Sequence, residues 1–299
     1  MMNSKNLVFG ILLIFLIGCS GVGTPKEKSV LTDTSHIGVK GVTMSFIKNN
    51  PPDVSYTGTP LTAVIELKNE GAAEVVGGTL YLSGYDSNIF NMAPQYQTFD
   101  LEAKSKFNTF GGYDTKEFTS GNIYLPRGTD VLDQKFLASA CYQYRTTASI
   151  PVCIDPDPIA ILENEACKVT NPLVSGGQGA PVAVTAVQEN AQPGQVGFLL
   201  TISNLGDGQV IEQNSLGRCP GELKFNDIDA ISYNVKMSNA VATCNPASKV
   251  RLSNKQGNLY CTFQLNDASS PAYTSVLEVT LNYGYLSQIS KTVKVKSIN

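Results

Sequence analysis

Alternation with period two dominates the pattern of apolar and polar positions. Leu259-Tyr260-Cys261-Thr262-Phe263-Gln264-Leu265 is apolar at every second residue. Leu277-Glu278-Val279-Thr280-Leu281 repeats the pattern and carries it on into Tyr283 and Tyr285. Successive side chains of an extended chain point to opposite faces, so these runs predict half-buried strands. Gly, Asn and Pro punctuate the runs at short intervals, as turns between strands require. The best helical candidate, Ile159-Ala160-Ile161-Leu162-Glu163-Asn164-Glu165, is long enough for one or two turns only. The expected fold class is all-β.

The chain also repeats itself. Ile65-Glu66-Leu67-Lys68-Asn69-Glu70-Gly71, followed by Val75, matches Leu200-Thr201-Ile202-Ser203-Asn204-Leu205-Gly206, followed by Val210. Gly121-Asn122-Ile123-Tyr124 matches Gly257-Asn258-Leu259-Tyr260, and Tyr142-Gln143-Tyr144 matches Tyr283-Gly284-Tyr285. The offsets are 135, 136 and 141 residues in collinear order, which predicts two copies of one unit. Each copy has length for seven or eight short strands, the pattern of a β-sandwich. The expected organisation is residues 36–154 as the first sandwich, 155–179 as a linker and 180–299 as the second. Asp155-Pro156-Asp157-Pro158 and Gly176-Gly177-Gln178-Gly179 bound that linker.

Strand periodicity assigns faces. Leu277, Val279, Leu281, Tyr283, Tyr285, Val293 and Val295 share one face near the end of the second copy. By the repeat, Ala138, Ala140, Tyr142, Tyr144, Val152 and Ile154 face inward in the first. The tyrosine pairs therefore read as core with the hydroxyl reaching an edge, ahead of a ligand-stacking platform. A hairpin folded about Thr147 would set Cys141 across from Cys153 on the opposite face. Cys261 shares a face with Leu259 and Phe263, and Cys244 is its nearest partner. That leaves Cys167 with Cys219. Other connectivities stay open, because spacing does not set them.

The first residues read differently. Lys5 precedes an apolar run from Leu7 to Ile17, which is too short for the roughly 20 residues of a membrane-spanning helix. The run ends in Leu16-Ile17-Gly18-Cys19. That order is the order of a secretory signal. The segment resembles the lipobox of prokaryotic lipoproteins, which implies cleavage after residue 18 and lipidation of Cys19. Two acyl chains on that cysteine would make a durable membrane anchor. An ordinary signal peptide or a retained signal anchor, with Cys19 incidental, is the alternative. Residues 19–35 read as a lipidated tether.

Export changes the reading of the other six cysteines, Cys141, Cys153, Cys167, Cys219, Cys244 and Cys261. An even number in an oxidising compartment predicts three disulfides. Metal sites favour closely paired cysteines or His partners, and the single histidine, His36, lies beside the tether. The same scarcity of histidine argues against Ser-His-Asp and Cys-His catalysis. Asp155, Asp157, Asp227 and Asp229 read as solvated loop acids rather than cation ligands. A formal charge of −3 and the lack of a basic block argue against nucleic acid as partner. No cofactor and no metal are expected, and the chain is read as non-catalytic.

The strand-Asn-x-Gly-strand element, at Asn69 and Gly71 and again at Asn204 and Gly206, resembles Ig-like domains of prokaryotic surface proteins, including cell-adhesion-related domains and envelope-protein repeats. The resemblance implies tandem Ig-like sandwiches in which those residues build the turn after a strand, and it implies no catalytic residue. Taken together, these readings predict a lipid-anchored protein on the extracytoplasmic face of the cell envelope. Its role would be structural or adhesive, with envelope or extracellular proteins as partners through loops or strand edges. A solute-binding lipoprotein and an accessory subunit of a surface enzyme are the rival readings.

Overall fold

The computed structural model describes residues 35–159, 165–171, 173–174, 177–238, 240–265 and 270–298. The expected leader 1–18, Cys19 and the tether before Ser35 lie outside the described residues, as does most of the short helical candidate. The first half of the chain forms β1 (Val42–Phe46), β2 (Val54–Tyr56), β3 (Pro60–Asn69), β4 (Val75–Ser83), β5 (Tyr96–Leu101), β6 (Tyr113–Asn122) and β7 (Val131–Ile154). The second forms β8 (Leu173–Val174), β9 (Val182–Gln192), β10 (Gln195–Asn204), β11 (Gln209–Ile211), β12 (Ala230–Met237), β13 (Ala240–Val241), β14 (Thr243–Asn245), β15 (Lys249–Arg251), β16 (Gln256–Gln264) and β17 (Tyr273–Lys296). Two short 3₁₀ turns, Gln213–Arg218 and Phe225–Asp227, lie between β11 and β12. The protein is all-β.

Two strands organise the rest. β7 and β17 are each 24 residues long and pair antiparallel along their whole length, from Tyr273 opposite Ile154 to Lys296 opposite Val131. At about 3.4 Å per residue each spans roughly 80 Å. They form the middle of one large sheet, in which β4 and β5 extend the β7 side and β12 and β13 the β17 side. A small sheet, β1-β3-β6, and a larger one, β14-β16-β10-β9-β8, complete the fold. Hydrogen bonds from Tyr144 on β7 to Asn69 on β3, and from Tyr285 on β17 to Asn204 on β10, cross from the long sheet to each of them.

The expected hairpin about Thr147 is absent. Arg145-Thr146-Thr147-Ala148 contains no turn former, and Thr147 pairs with Thr280 instead of reversing the chain. The face assignment nevertheless holds, since Ala138, Ala140, Tyr142, Tyr144, Val152 and Ile154 are all buried, as are Leu277, Val279, Leu281, Tyr283, Tyr285, Val293 and Val295. Period two survives whether a strand turns or runs on.

Continuous pairing also changes the organisation expected at residues 36–154, 155–179 and 180–299. Asp33–Asn299 is one compact unit. The end of β17 reaches the first half, where Lys294–Lys296 pairs in parallel with β2 and Ser297 N donates to Asp130 O at 2.8 Å. In exchange, Thr146 on the far part of β7 donates to Val182 O of β9 at 2.6 Å. Buried residues from both halves join in one main core cluster. The repeat is therefore a pseudo-twofold centred on the Gln143–Gly284 pair, with Tyr142 opposite Tyr285 on one side and Tyr144 opposite Tyr283 on the other, rather than two sandwiches with separate cores.

The register tests the repeat residue by residue. Ala63 faces Phe118 and its equivalent Phe198 faces Cys261, so Phe118 corresponds to Cys261. Gly121–Tyr124 runs off the end of β6 while Gly257–Tyr260 lies at the start of β16, and that match is not structural. Where the first half has the single strand β4, the second has β11 and β12 in succession beside β17, with the 3₁₀ segment inserted between them. That insert lies on the outer face of the long sheet, where Cys141, Ile211, Cys219 and Leu286 form a separate buried cluster.

Candidate functional site

The pseudo-twofold centre is built from the repeated tyrosines. Their rings sit 5.9 Å apart for Tyr142 and Tyr285 and 6.3 Å apart for Tyr144 and Tyr283. Asn69 Oδ1 accepts from Gly71 N at 3.1 Å and from Tyr144 Oη at 3.0 Å. Asn204 Oδ1 accepts from Gly206 N at 3.2 Å and from Tyr285 Oη at 3.1 Å. Only glycine fits at the third position of each turn, because a Cβ on Gly71 would lie 2.1 Å from Tyr144 Oη and one on Gly206 2.4 Å from Tyr285 Oη. The Asn-x-Gly element thus builds the turn that the resemblance implied, and the tyrosine lock behind it is the reason for its composition. Burial raises all four phenols, that of Tyr285 to about 12. These groups hold the fold together and stay protonated.

Beside this lock lies a cleft of about 570 Å³. Its floor is Leu286–Ile289 of β17, one wall is β1, and the other is the Leu205–Gln209 turn that leaves β10. Val39 and Leu205 stand at its mouth, 36% and 42% exposed. Lys255 closes part of the rim by donating to Gly206 O at 3.1 Å.

The wall formed by β1 is an open sheet edge, since β3 is its only strand neighbour among the described residues. Glu70 N donates to Gly41 O and Ile47 N to Val64 O, both at 2.9 Å, so the odd-numbered residues of this segment face β3. Backbone groups alternate along a strand. Val42 N accordingly points the other way and donates to Tyr142 Oη at 3.2 Å. Met44 and Phe46 present their N–H and C=O groups in the same outward direction. The side chains of Met44 and Phe46 pack against the core, so the edge is held in place and needs no reordering to accept a strand.

The other expected residues scatter. Cys244 pairs with Cys261, as expected from proximity. Cys141 pairs with Cys219 and Cys153 with Cys167, which corrects the expected Cys141–Cys153 and Cys167–Cys219 bonds. Without a hairpin, Cys141 and Cys153 stay far apart on one extended strand. Each instead meets a segment that packs on the sheet, the 3₁₀ insert or the linker.

Asp227 is buried, contrary to the expectation of a solvated loop acid. It accepts from Arg218, from Ser215 Oγ at 2.9 Å and from Lys224 N at 2.8 Å. The Arg218 guanidinium holds its carboxyl well below the usual range. Asp229 accepts from Gln209 Nε2 at 2.6 Å, and Asp155 accepts from Asp157 N at 3.1 Å. These acids pin loops. Among the described residues no group of three His, Cys, Asp or Glu side chains is placed to hold a metal ion, and no helix is long and apolar enough to cross a membrane.

No family model matches the chain, and no curated protein does. Among solved structures, the chain is similar to the CupB6 tip adhesin from Pseudomonas aeruginosa at 10% identity, over 89% of this chain and 98% of that one, with a TM-score of 0.16. That score carries no statement about fold or activity.

Proposed function

We propose that the protein is a lipid-anchored component of the cell surface with a structural or adhesive role, and that it holds partner proteins by adding one of their strands to the open edge of β1. The observation that carries this reading is the outward row of backbone groups at Met44 and Phe46 on the edge of β1, whose Val42–Met44 part lines the cleft. Main-chain pairing gives such an interface its affinity, and pockets for alternate side chains give it selectivity. Val39, Leu205 and Ile289 supply apolar surface for those side chains. Three disulfides suit an oxidising compartment. Acylation of Cys19 would hold the body at the membrane, and the reading assigns the chain no catalysis and no nucleic-acid partner.

A photoreactive side chain at Val39 on intact cells tests it. A discrete adduct is expected, and it is lost with Met44→Pro, which removes an outward N–H and leaves the ladder to β3 intact. Leu205→Glu, at the opposite wall, reduces the adduct without touching β1. Repeated absence of any adduct counts against the reading. The rival reading is a solute in the same cleft, whose volume is that of a small-molecule site. A large thermal shift with a sugar, peptide or metal ion, together with no protein adduct, favours it.

A further inference from the structure

The loop joining β5 to β6, Glu102 to Gly112, displays aromatic side chains to solvent. Phe107 is 82% exposed and Phe110 75%. Neither is left there by a slack loop. Ser105 N donates to Asn108 O at 2.9 Å, Asn108 N to Ser105 Oγ at 3.0 Å and Gly111 N to Asn108 Oδ1 at 3.1 Å. The base is tied to the body, with Lys104 N donating to Gly71 O at 2.8 Å and Asn69 N to Gly112 O at 2.9 Å. Gly111 has φ +75°, and a Cβ there would meet Asn69 O at 1.8 Å, so the loop seats directly on the turn of the buried Asn69.

Charge and chain path say what this surface faces. Lys104 and Lys106 both precede Phe107, and neither forms an ion pair among the described residues. Lys106 lies over the Phe107 ring at 4.8 Å from its centroid. Around the base, Lys40 and Lys68 share the single carboxylate of Glu70, and Glu102 is engaged by Asn108 Nδ2 at 3.3 Å. The tip of the loop thus presents two lysines without a carboxylate partner beside two apolar rings, while the acids Glu70, Glu102 and Glu66 stand nearer its base. The chain also enters the fold here. Ser35 O packs against Gly179, Gly179 O accepts from Ala72 N at 2.7 Å, and the neighbouring Gly71 O accepts from Lys104 N. Thirty-four residues, Cys19 among them, precede Ser35.

We infer that this loop rests on an anionic lipid surface, with Phe107 and Phe110 in the headgroup boundary and Lys104 and Lys106 on lipid phosphates. Phenylalanine side chains bury at the headgroup–acyl boundary, and basic side chains reach to the charge while their stems lie on apolar surface. The inference rests on the anchored reading, which brings this end of the molecule to the membrane. The loop would then fix which way the cleft faces.

The chain contains no tryptophan, so Phe107→Trp introduces a single indole reporter. Full-length protein carrying it is bound to vesicles that contain phosphatidylglycerol and brominated phospholipid. Blue-shifted emission and quenching by bromine are expected, with the docked population falling about fivefold for each of Lys104→Gln and Lys106→Gln. Phe110→Trp gives an independent reporter with the same expectation. A water-like indole on protein that floats with the vesicles overturns the inference and leaves the anchor standing. Quenching that is equal in phosphatidylcholine vesicles, or indifferent to the lysine changes, overturns the anionic assignment, and so does failure to bind vesicles at all. Mass measurement of the N-terminal peptide reports acylation of Cys19 separately, so quenching on an unacylated chain refutes the anchor alone.

Discussion

The hydroxyl of Tyr283 lies 2.9 Å from that of Thr146, although 137 residues separate them in the chain. The pseudo-twofold repeats the contact with roles exchanged, since Tyr142 Oη lies 3.2 Å from Ser287 Oγ. Each long strand thus supplies a tyrosine and a small hydroxyl residue to the other. Each tyrosine also accepts from the first residue of the strand above it, Val182 N at 3.4 Å and Val42 N at 3.2 Å. The two halves share one buried polar lock at the centre of the molecule.

Removing one hydroxyl leaves buried donors unpaired. Tyr142→Phe is expected to lower stability by about 1–3 kcal/mol in urea denaturation, with Tyr283→Phe similar. The phenols also set a pH limit. Their folded values lie above the ordinary 10.0, so their contribution is complete below pH 10.0 and is lost as pH rises past it towards the value of about 12 at Tyr285. Stability that stayed flat across that window would count against the lock.

Neither half is expected to fold alone. Residues 36–154 and 180–299, expressed separately, each leave one long strand without its partner along 24 residues and expose part of the shared core. Each fragment should give no cooperative melt, and mixing the two should restore one. A cooperative transition in either fragment by itself would show that the core divides.

The disulfides differ in the loops they close. The Cys141–Cys219 bond spans 78 residues and the Cys244–Cys261 bond 17. In the chain-entropy account they contribute up to about 4.5 and about 3 kcal/mol. The double change Cys141→Ala, Cys219→Ala should therefore lower the melting temperature more than Cys244→Ala, Cys261→Ala. A peptide map without reduction is expected to show Cys141 joined to Cys219, and a Cys141–Cys153 peptide would sink the topology.

Glu189 faces inward on β9, and its Oε1 has no hydrogen-bond partner among the described residues. Burial, and secondarily the charge of Asp155, pushes its carboxyl up to about 7. A raised value means stability is greatest below the ordinary 4.5 and falls as pH climbs to 7, by about 2–3 kcal/mol. Glu189→Gln should flatten that slope and raise the melting temperature at pH 8 relative to the unchanged chain. An identical pH profile for the two proteins would refute the assignment.

Much of this was legible in the chain and some was not. Alternation around Tyr142 and Tyr283 marked which side chains are buried, because period two is a property of the extended backbone itself. The Asn-x-Gly turns at Asn69 and Asn204 were legible for a similar reason, their bonds being local. The loop Lys104-Ser105-Lys106-Phe107-Asn108-Thr109-Phe110 carried a readable signal, two phenylalanines outside any alternating run, that strand periodicity alone passes over.

What alternation cannot say is which strand lies beside which. The same burial pattern suits a hairpin at Thr147 and a straight strand of 24 residues, and only pairing with β17 separates them. Strand neighbours then determined the rest: whether Cys141 meets Cys153 or Cys219, whether Asp227 is wet or buried against Arg218, and whether the edge of β1 is open. Local geometry depends on neighbours in the chain and so is written in it. Sheet order depends on surfaces 100 residues or more apart in sequence closing over a common core, and only the folded molecule contains that information.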